Sequence, residues 1–470
     1  MILLSLNRQD TKMRTQTKHT KKSWKEKAME RGDEARRLKQ ELKRQKNRAM
    51  KWRKDYYRLK RTSKLTKVEN YNYPLELIWM AILMHVNFNV SLRGVSQSLM
   101  KLGRLYKLKF ENLSHMTIRN WCLKFGLFRL SDELSSGKYI LISDESVEIG
   151  RERLLLLYVV PIENYSSIVP LSMEDVKVLD LGVQTVWNSD DVAAKIKEKT
   201  EQFNLEIVYG ISDNCSKLKK AMKICNIKWI ADCTHEIANV SKALYRKDEE
   251  SNRFITKMSL LRSKWILSKH LLLVPPKLRS KDRFNQMFVI HKWAERIIND
   301  WDDISQEAKK ELRFVQQNKE LIKSMRQCYD IIDLFCSIFK SKGIQENSLK
   351  EWDEKIAAYK CGASLNNKPM QLVEKMNDYL ARQQLVLPQE TQILCCSDII
   401  ESTFGKYKNK GVKIITDDVL KIAGYSSQTT MEEIQRAMQQ IKTAQVAEWK
   451  KENTTISKLA LLKRKKKCAA

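Results

Sequence analysis

Two carboxylates at the ends of apolar runs are the residues best placed to do chemistry in this sequence. In KYILISDES, Tyr139, Ile140, Leu141 and Ile142 lead through Ser143 to Asp144. In LEIVYGISDN, Ile207, Val208, Tyr209 and Ile211 lead to Asp213. Short apolar runs of this kind read as buried strands. Carboxylates at the same end of neighbouring strands converge at one edge of a sheet. Two of them a few Å apart repel unless a cation lies between them. Magnesium takes hard oxygen ligands and keeps waters for substrate phosphates. Two such ions roughly 4 Å apart can activate a nucleophile and stabilise the leaving oxygen of a phosphodiester. A third carboxylate completes the set. Glu401 in SDIIESTFGKYK is the candidate, with Glu390 its rival. Glu145 and Glu148 lie close by, but strand alternation turns Glu145 to the opposite face, a structural position.

The elements that must hold these acids follow in order. KYILIS, RLLLLYVVPI and a third strand running from IVPLSM to VKVLDLGV come first. An amphipathic helix from Asp190 to Phe203, the strand ending at Asp213, a helix from Lys217 to Ile224, the strand IKWIAD and a helix opening at His235 follow. Three strands and then alternating helices and strands fit a sheet with an antiparallel meander and two parallel crossovers. Residues 252–389 differ: helical, Lys-rich and dotted with Trp265, Trp293, Trp301 and Trp352, with PP at Pro275 and Pro276. ILCCSDIIESTFGKYKNKG then reads as an amphipathic helix carrying Glu401, and the chain to about Ala460 as polar helix.

This order of elements resembles an RNase H-like DDE transposase, with acids ending the first and fourth strands and a Glu on a late helix. Lys408 follows Glu401 by seven positions, like the family's E-x6-K arrangement. Asp232-Cys233-Thr234-His235 resembles the [C/D]-x-x-H signature of hAT, Mutator-like and related bacterial insertion-sequence transposases. The long stretch between Asp213 and Glu401 resembles the all-α insertion that these enzymes carry after the fifth strand. Some relatives have Tyr seven and Arg four residues before the Glu; Leu394 and Ser397 stand there here. The resemblance covers residues 74–411. It implies that Asp144, Asp213 and Glu401 are catalytic and bind two Mg²⁺ (Mn²⁺ can substitute), and that Lys408 positions phosphate. It further implies that Asp232 and His235 support the site; read without it, they are equally a structural hydrogen-bond pair. A tryptophan of the insertion would stack on a flipped base, Trp265 before Trp293; as residues alone, both are core.

Charge points to a polyanionic partner. Net charge is +31 over 470 residues, an excess that points first to nucleic acid and second to a membrane surface. Residues 1–67 hold 24 Lys/Arg against 7 Asp/Glu, a net +17. From Ala35 the positions Leu38, Leu42, Gln45, Ala49, Trp52, Tyr56 and Leu59 recur in alternating steps of three and four, a heptad seam. The arm is thus a coiled coil, a DNA-contacting helix, or a dimerising element. Next, Pro74 opens an apolar helix, Ser91 caps LRGVSQSLMKL, and Ser114 caps HMTIRNWCLKFG, ending at Gly126. That layout is helix-turn-helix-like. Thr117, Arg119, Asn120 and Lys124 would face DNA while Ile118, Trp121 and Leu123 turn partly inward; the alternative is a purely structural three-helix bundle.

The ten Cys form no C-x-x-C pair, which suits a reducing compartment. MILLSL is too short for a secretory apolar region, and no apolar run approaches the ~20 residues of a membrane span. Localisation would be cytoplasmic or nucleoid in a bacterium and nuclear in a eukaryote, where KRKKK (Lys463 to Lys467) could serve as the signal.

The expected architecture is an α/β RNase H-like catalytic domain with an all-α insertion, preceded by DNA-binding helices and a basic arm. Its parts are an arm (1–67), a helix-turn-helix-like domain (68–135), the first part of the core (136–250), the insertion (251–389), the last part with the Glu helix (390–425) and a basic helical tail (426–470). The expected activity is cleavage at transposon ends and joining of 3′-hydroxyls to target DNA, by a homodimer or higher oligomer on DNA. The alternatives are a catalytically silent, transposase-derived DNA-binding protein and an RNase H-like nuclease without strand transfer.

Overall fold

A computed structural model of the chain describes residues 23–62, 66, 68–105, 112–131, 134–147, 152–165, 170–278, 285–362, 364–387, 392–409, 415–425 and 429–453. Glu148, Glu390 and the Lys463–Lys467 run lie outside the described residues. The chain divides into two units, residues 1–66 and 67–470.

Among the described residues the first unit holds one helix, α1 (Trp24–Thr62). Its Leu38, Leu42 and Trp52, seam positions among the described residues, are all exposed.

The second unit opens with three helices, α2 (Leu75–Val86), α3 (Leu92–Leu105) and α4 (His115–Ser131). Ser91 and Ser114 cap as expected, their hydroxyls accepting from the backbone N–H groups of Gly94 and Met116, each at 3.1 Å. α4 does not stop at Gly126. Its buried side chains, Ile118, Trp121, Cys122, Leu123, Phe125, Phe128 and Leu130, cover most of its circumference, and a helix apolar over so much of its surface belongs inside a protein. Gly126 marks close packing rather than a cap: a Cβ there would collide with the carbonyl oxygen of Leu420.

A five-stranded sheet follows: β1 (Gly137–Val147), β2 (Arg153–Pro161), β3 (Lys177–Gln184), then α5 (Ser189–Gln202), β4 (Leu205–Ser212), α6 (Ser216–Ile224), β5 (Lys228–Ala231) and α7 (Cys233–Arg246). The spatial order is β3-β2-β1-β4-β5. β1 and β3 flank β2 antiparallel, while β4 runs parallel to both β1 and β5. The expected meander with two crossovers is present. The third strand is shorter than its sequence suggests, because Pro170 to Asp175 make no strand.

Alternation divides the sheet between two cores. Tyr139, Leu141, Leu155, Leu157 and Leu179 pack with Val192 and Ile196 of α5 and Leu218 and Met222 of α6. Ile140, Ile142, Leu156, Tyr158, Tyr209, Ile211 and Ile230 face the other way, into the larger core.

A helical region comes next: α8 (Glu249–Trp265), α9 (Asn285–Asn299), α10 (Gln306–Gln317), α11 (Lys319–Lys342), β6 (Ile344–Gln345), α12 (Glu346–Gly362) and α13 (Asn367–Val386). β7 (Gln392–Ile393) pairs with β6, and α14 (Asp398–Lys408) carries Glu401. The stretch whose sequence reads as one long helix from Ile393 is therefore not helical until Asp398. A 3₁₀ segment (Asp417–Tyr425), α15 (Met431–Gln440) and α16 (Thr443–Glu452) close the described chain. These last elements pack on α2 and α4. Val419, Leu420, Ile422 and Tyr425 are buried, so the C-terminal stretch helps to build the N-terminal helical region and is not simply polar. Among the described residues no helix is long and apolar enough to cross a membrane.

Candidate active site

Asp144 and Asp213 meet at the same end of two neighbouring strands. The parallel ladder between β1 and β4 ends with Ser143 opposite Ser212, and each Asp is the next residue. β1 itself does not end there: its antiparallel ladder with β2 continues, with Asp144 opposite Leu156, to Val147. Asp144 thus terminates one ladder and lies inside the other. Alternation places it on the face of Ile140 and Ile142. Each Asp accepts a local backbone hydrogen bond: Asp144 from Glu145 N–H at 2.7 Å and Asp213 from Cys215 N–H at 3.0 Å. Glu145 turns away as expected, held by Arg153 at 3.0 Å and by Lys217. Burial lowers the proton affinity of Lys217.

Asp232 ends β5 and caps α7. Its Oδ1 accepts from the His235 backbone N–H at 2.7 Å, and its Oδ2 accepts from Ser397 N–H at 2.5 Å and Ser397 Oγ at 2.7 Å. The helix therefore opens at Cys233, two residues earlier than its sequence suggests. Two further bonds secure the joint: Asp232 N–H to Ser212 O of β4 at 2.9 Å, and Cys233 N–H to Cys395 O on the approach to α14 at 2.8 Å. One carboxylate so fixes the start of α7 and the approach to α14. Leu394 N–H donates to Tyr209 Oη at 2.8 Å, which lays the approach to α14 across the Asp144 face of the sheet. Tyr158 Oη and Thr403 Oγ1, 3.1 Å apart, anchor the helix further on.

Glu401 Oε1 lies 3.2 Å from His235 Nε2. Glu236, the next residue of α7, accepts from Asn214 Nδ2 at 2.5 Å and from Arg382 at 3.0 Å. The chain of contacts runs from the Asp213 loop through α7 to Glu401. Lys408 is exposed, and seven residues bring it within about 20° of Glu401 around the helix.

The three sequence-selected carboxylates share this end of the sheet without forming one tight cluster. Among the described residues, the three-member group of acid, thiol or imidazole side chains within 4.8 Å of one another is Asp232, Cys396 and Asp398. That set fits magnesium poorly. A thiol is a soft donor, both Asp232 oxygens already accept hydrogen bonds, and Asp398 Oδ2 is 2.6 Å from Lys340 Nζ. Burial alone would weaken proton binding by Lys340, but Asp398 outweighs it and holds the ammonium above its ordinary range. Asp144 and Asp213 offer hard carboxylate oxygens and are only partly buried, which suits a hydrated divalent ion better.

Three residues expected to meet DNA are occupied inside the protein. The Arg119 guanidinium forks onto Asp417 Oδ1 at 2.5 Å and Asp418 Oδ1 at 2.9 Å. Lys124 Nζ donates to Tyr71 Oη at 2.8 Å. Most of α4 is buried, and two of the four polar residues expected on its DNA side are turned to partners within the fold; Asn120 and Met116 near its start remain exposed. Trp265 is 3% exposed, stacked on His270 with ring centroids 4.7 Å apart. Its indole packs the insertion core, as Trp293 and Trp352 do, and is not presented to a base.

Sequence reasoning misses the part played by Ser397, which there is only a departure from a family pattern, and the salt-bridged Asp417 and Asp418. A small hydroxyl residue just before an acidic helix start is the available signal for Ser397. No protein-family model matches the chain, and comparison with curated proteins finds no relative.

Proposed function

We propose that this chain is a DNA transposase of the DDE type with an RNase H-like core, acting on double-stranded DNA at transposon ends. The observation that carries the reading is the juxtaposition of Asp144 and Asp213, side by side beyond the β1–β4 ladder, under a helix that brings Glu401. The strand order β3-β2-β1-β4-β5 with its antiparallel meander, and the helical insertion between α7 and α14, support the same reading. Asp144, Asp213 and Glu401 would hold two Mg²⁺, with Mn²⁺ as a substitute. Bound there, the ions would supply charge neutralisation at the scissile phosphate and a more acidic water. The His235 imidazole at Glu401 Oε1 would orient the carboxylate that a cation would use. Asp232 positions both α7 and α14. Lys408 would contact phosphate, and the basic arm would add affinity independent of sequence. One such site per DNA end requires a dimer or higher oligomer on DNA.

The deciding experiment is strand cleavage and joining on a labelled terminal-repeat duplex with Mg²⁺. Wild-type protein should nick and join, and Asp144→Asn should do neither. Full activity in Asp144→Asn would reject the assignment.

A second reading is favoured by the Glu401–His235 contact and by the absence of a tight cluster of the three acids: a catalytically silent protein that binds DNA. Binding without Mg²⁺-dependent nicking would select it. Nicking with no joined product would select a plain RNase H-like nuclease instead.

A further inference from the structure

The helix α1 exposes an apolar seam whose neighbours carry an ordered charge pattern. Ala35, Leu38, Leu42, Gln45, Ala49 and Trp52 take the a and d positions of the heptad. Leu38, Leu42 and Trp52 are 55%, 56% and 77% exposed. The flanking g positions are then Glu34, Glu41 and Arg48, and the flanking e positions are Lys39, Lys46 and Arg53.

In a parallel two-stranded coil each g residue faces the e residue five positions further along the partner helix. Glu34 then meets Lys39 and Glu41 meets Lys46, each twice by symmetry, while Arg48 opposes Arg53. Asp55 and Lys60 continue the attractive spacing in the sequence. An antiparallel pair would instead set e against e, where Lys39, Lys46 and Arg53 are all cations. The pattern therefore discriminates orientation as well as partner.

We infer that α1 pairs with α1 of a second copy of this chain as a parallel, in-register coiled coil. Gln45 at a d position costs stability but penalises shifted registers, which would bury it against an apolar neighbour. The charge balance of α1, 16 Lys/Arg against 6 Asp/Glu, opposes association, so the dimer is concentration-dependent at physiological salt. Outside the seam the cations crowd the C-terminal half, leaving the paired helices a basic outer surface. This pairing does not depend on the nuclease reading; a chain that never cuts DNA would form it equally.

The test uses full-length protein and its molar mass by light scattering at about 0.15 M salt, where charges a Debye length of about 8 Å apart still interact. Wild-type protein should reach the dimer mass as concentration rises. Glu34→Lys/Glu41→Lys should weaken self-association by about tenfold or more, since four attractive pairs become repulsive. Lys39→Glu/Lys46→Glu should do the same. Mixing the two variants should restore the dimer, because every altered pair is then opposite in charge. Circular dichroism of each variant checks that helix content is kept. A wild-type chain that stays monomeric, a charge variant that dimerises unchanged, or a mixture that fails to associate would each overturn the inference.

Discussion

The carboxylate of Asp232 accepts both the backbone N–H and the hydroxyl of Ser397, joining the end of the edge strand β5 to the start of the Glu401 helix. Asp232 is 1% exposed, so the bonds it makes are shielded from water. Charge-assisted hydrogen bonds contribute about 1.5–3 kcal/mol each. Asp232→Asn offers one acceptor where the wild type offers two, and turns an amide NH₂ toward existing donors. We expect a loss of about 2–4 kcal/mol, read as a lower urea midpoint. An unchanged midpoint would mean that Ser397 finds another acceptor and the joint is weaker than its geometry suggests.

The same joint gathers thiols. Contact with Cys395 first, and burial, push the Cys233 thiol well above the ordinary range, although its hydrogen bond with Cys396 pulls the other way. Cys396 is raised by contact with Cys233 first and by burial second. Only the thiolate alkylates. Iodoacetamide at pH 8 should therefore modify the exposed Cys361 well before Cys233 or Cys396, with peptide mass spectrometry as the readout. Early modification of Cys233 would show that the joint opens readily.

Much of the sheet is legible in the sequence because alternation and β-branched or leucine-rich runs report strands directly. Asp144, Asp213 and Asp232 fall at one sheet end for that reason. What sequence does not report is how far a strand is paired on each side. Asp144 looks terminal because β4 stops beside it, while β2 carries β1 three residues further. The side chains of α4 mislead for a related reason. A polar stripe at Arg119 and Lys124 suggests solvent or DNA, but Asp417 and Asp418, nearly 300 positions away, complete that stripe inside the fold. Local pattern cannot show a partner so distant in sequence.

That Arg119 fork carries a pH dependence. Burial alone would raise the Asp418 carboxyl, but Lys421 and Arg119 outweigh burial and hold it below its ordinary value of 3.8. A depressed folded pKa stabilises above the unfolded value, and the benefit is lost as pH falls through the folded one. Stability should thus be level from neutrality to about pH 4 on this account and fall below it. Arg119→Ala should cost about 2 kcal/mol, less than a fully buried pair, because Asp417 keeps Lys450 at 2.5 Å and Asp418 keeps Lys421 at 2.8 Å. The variant should also blunt the acid-side fall. Thermal melts at pH 3 to 7 would show both effects, and parallel curves for the two proteins would rule the fork out as their source.

Two glycines within helices should respond oppositely to one substitution. In α14, a Cβ added at Gly405 would meet nothing within 4 Å, so Gly405→Ala should stabilise by up to about 1 kcal/mol through helix propensity. In α4 the same change at Gly126 drives a methyl into the Leu420 carbonyl. Overpacking against backbone costs about 1–3 kcal/mol, which outweighs the propensity gain. Gly126→Ala should therefore lower the melting temperature while Gly405→Ala leaves it unchanged or raises it. Equal shifts would refute the close packing of α4 on the 3₁₀ segment.

The arm makes the most direct claim on DNA. If the C-terminal half of α1 neutralises phosphates, each contact adds about −0.9 to the slope of log affinity against log salt. Replacing Lys43, Arg44, Lys51 and Lys54, which lie outside the seam and its flanking e and g positions, by Gln removes four candidate contacts. The slope should flatten by as much as about 3.6, while discrimination between terminal-repeat and unrelated duplexes changes little, because phosphates carry no sequence. Fluorescence anisotropy across about 50–300 mM salt measures both quantities. A flattened slope with unaltered discrimination assigns the arm to phosphate neutralisation. A slope equal to wild type removes α1 from the DNA interface and leaves its seam, and the second copy it pairs with, as its sole role.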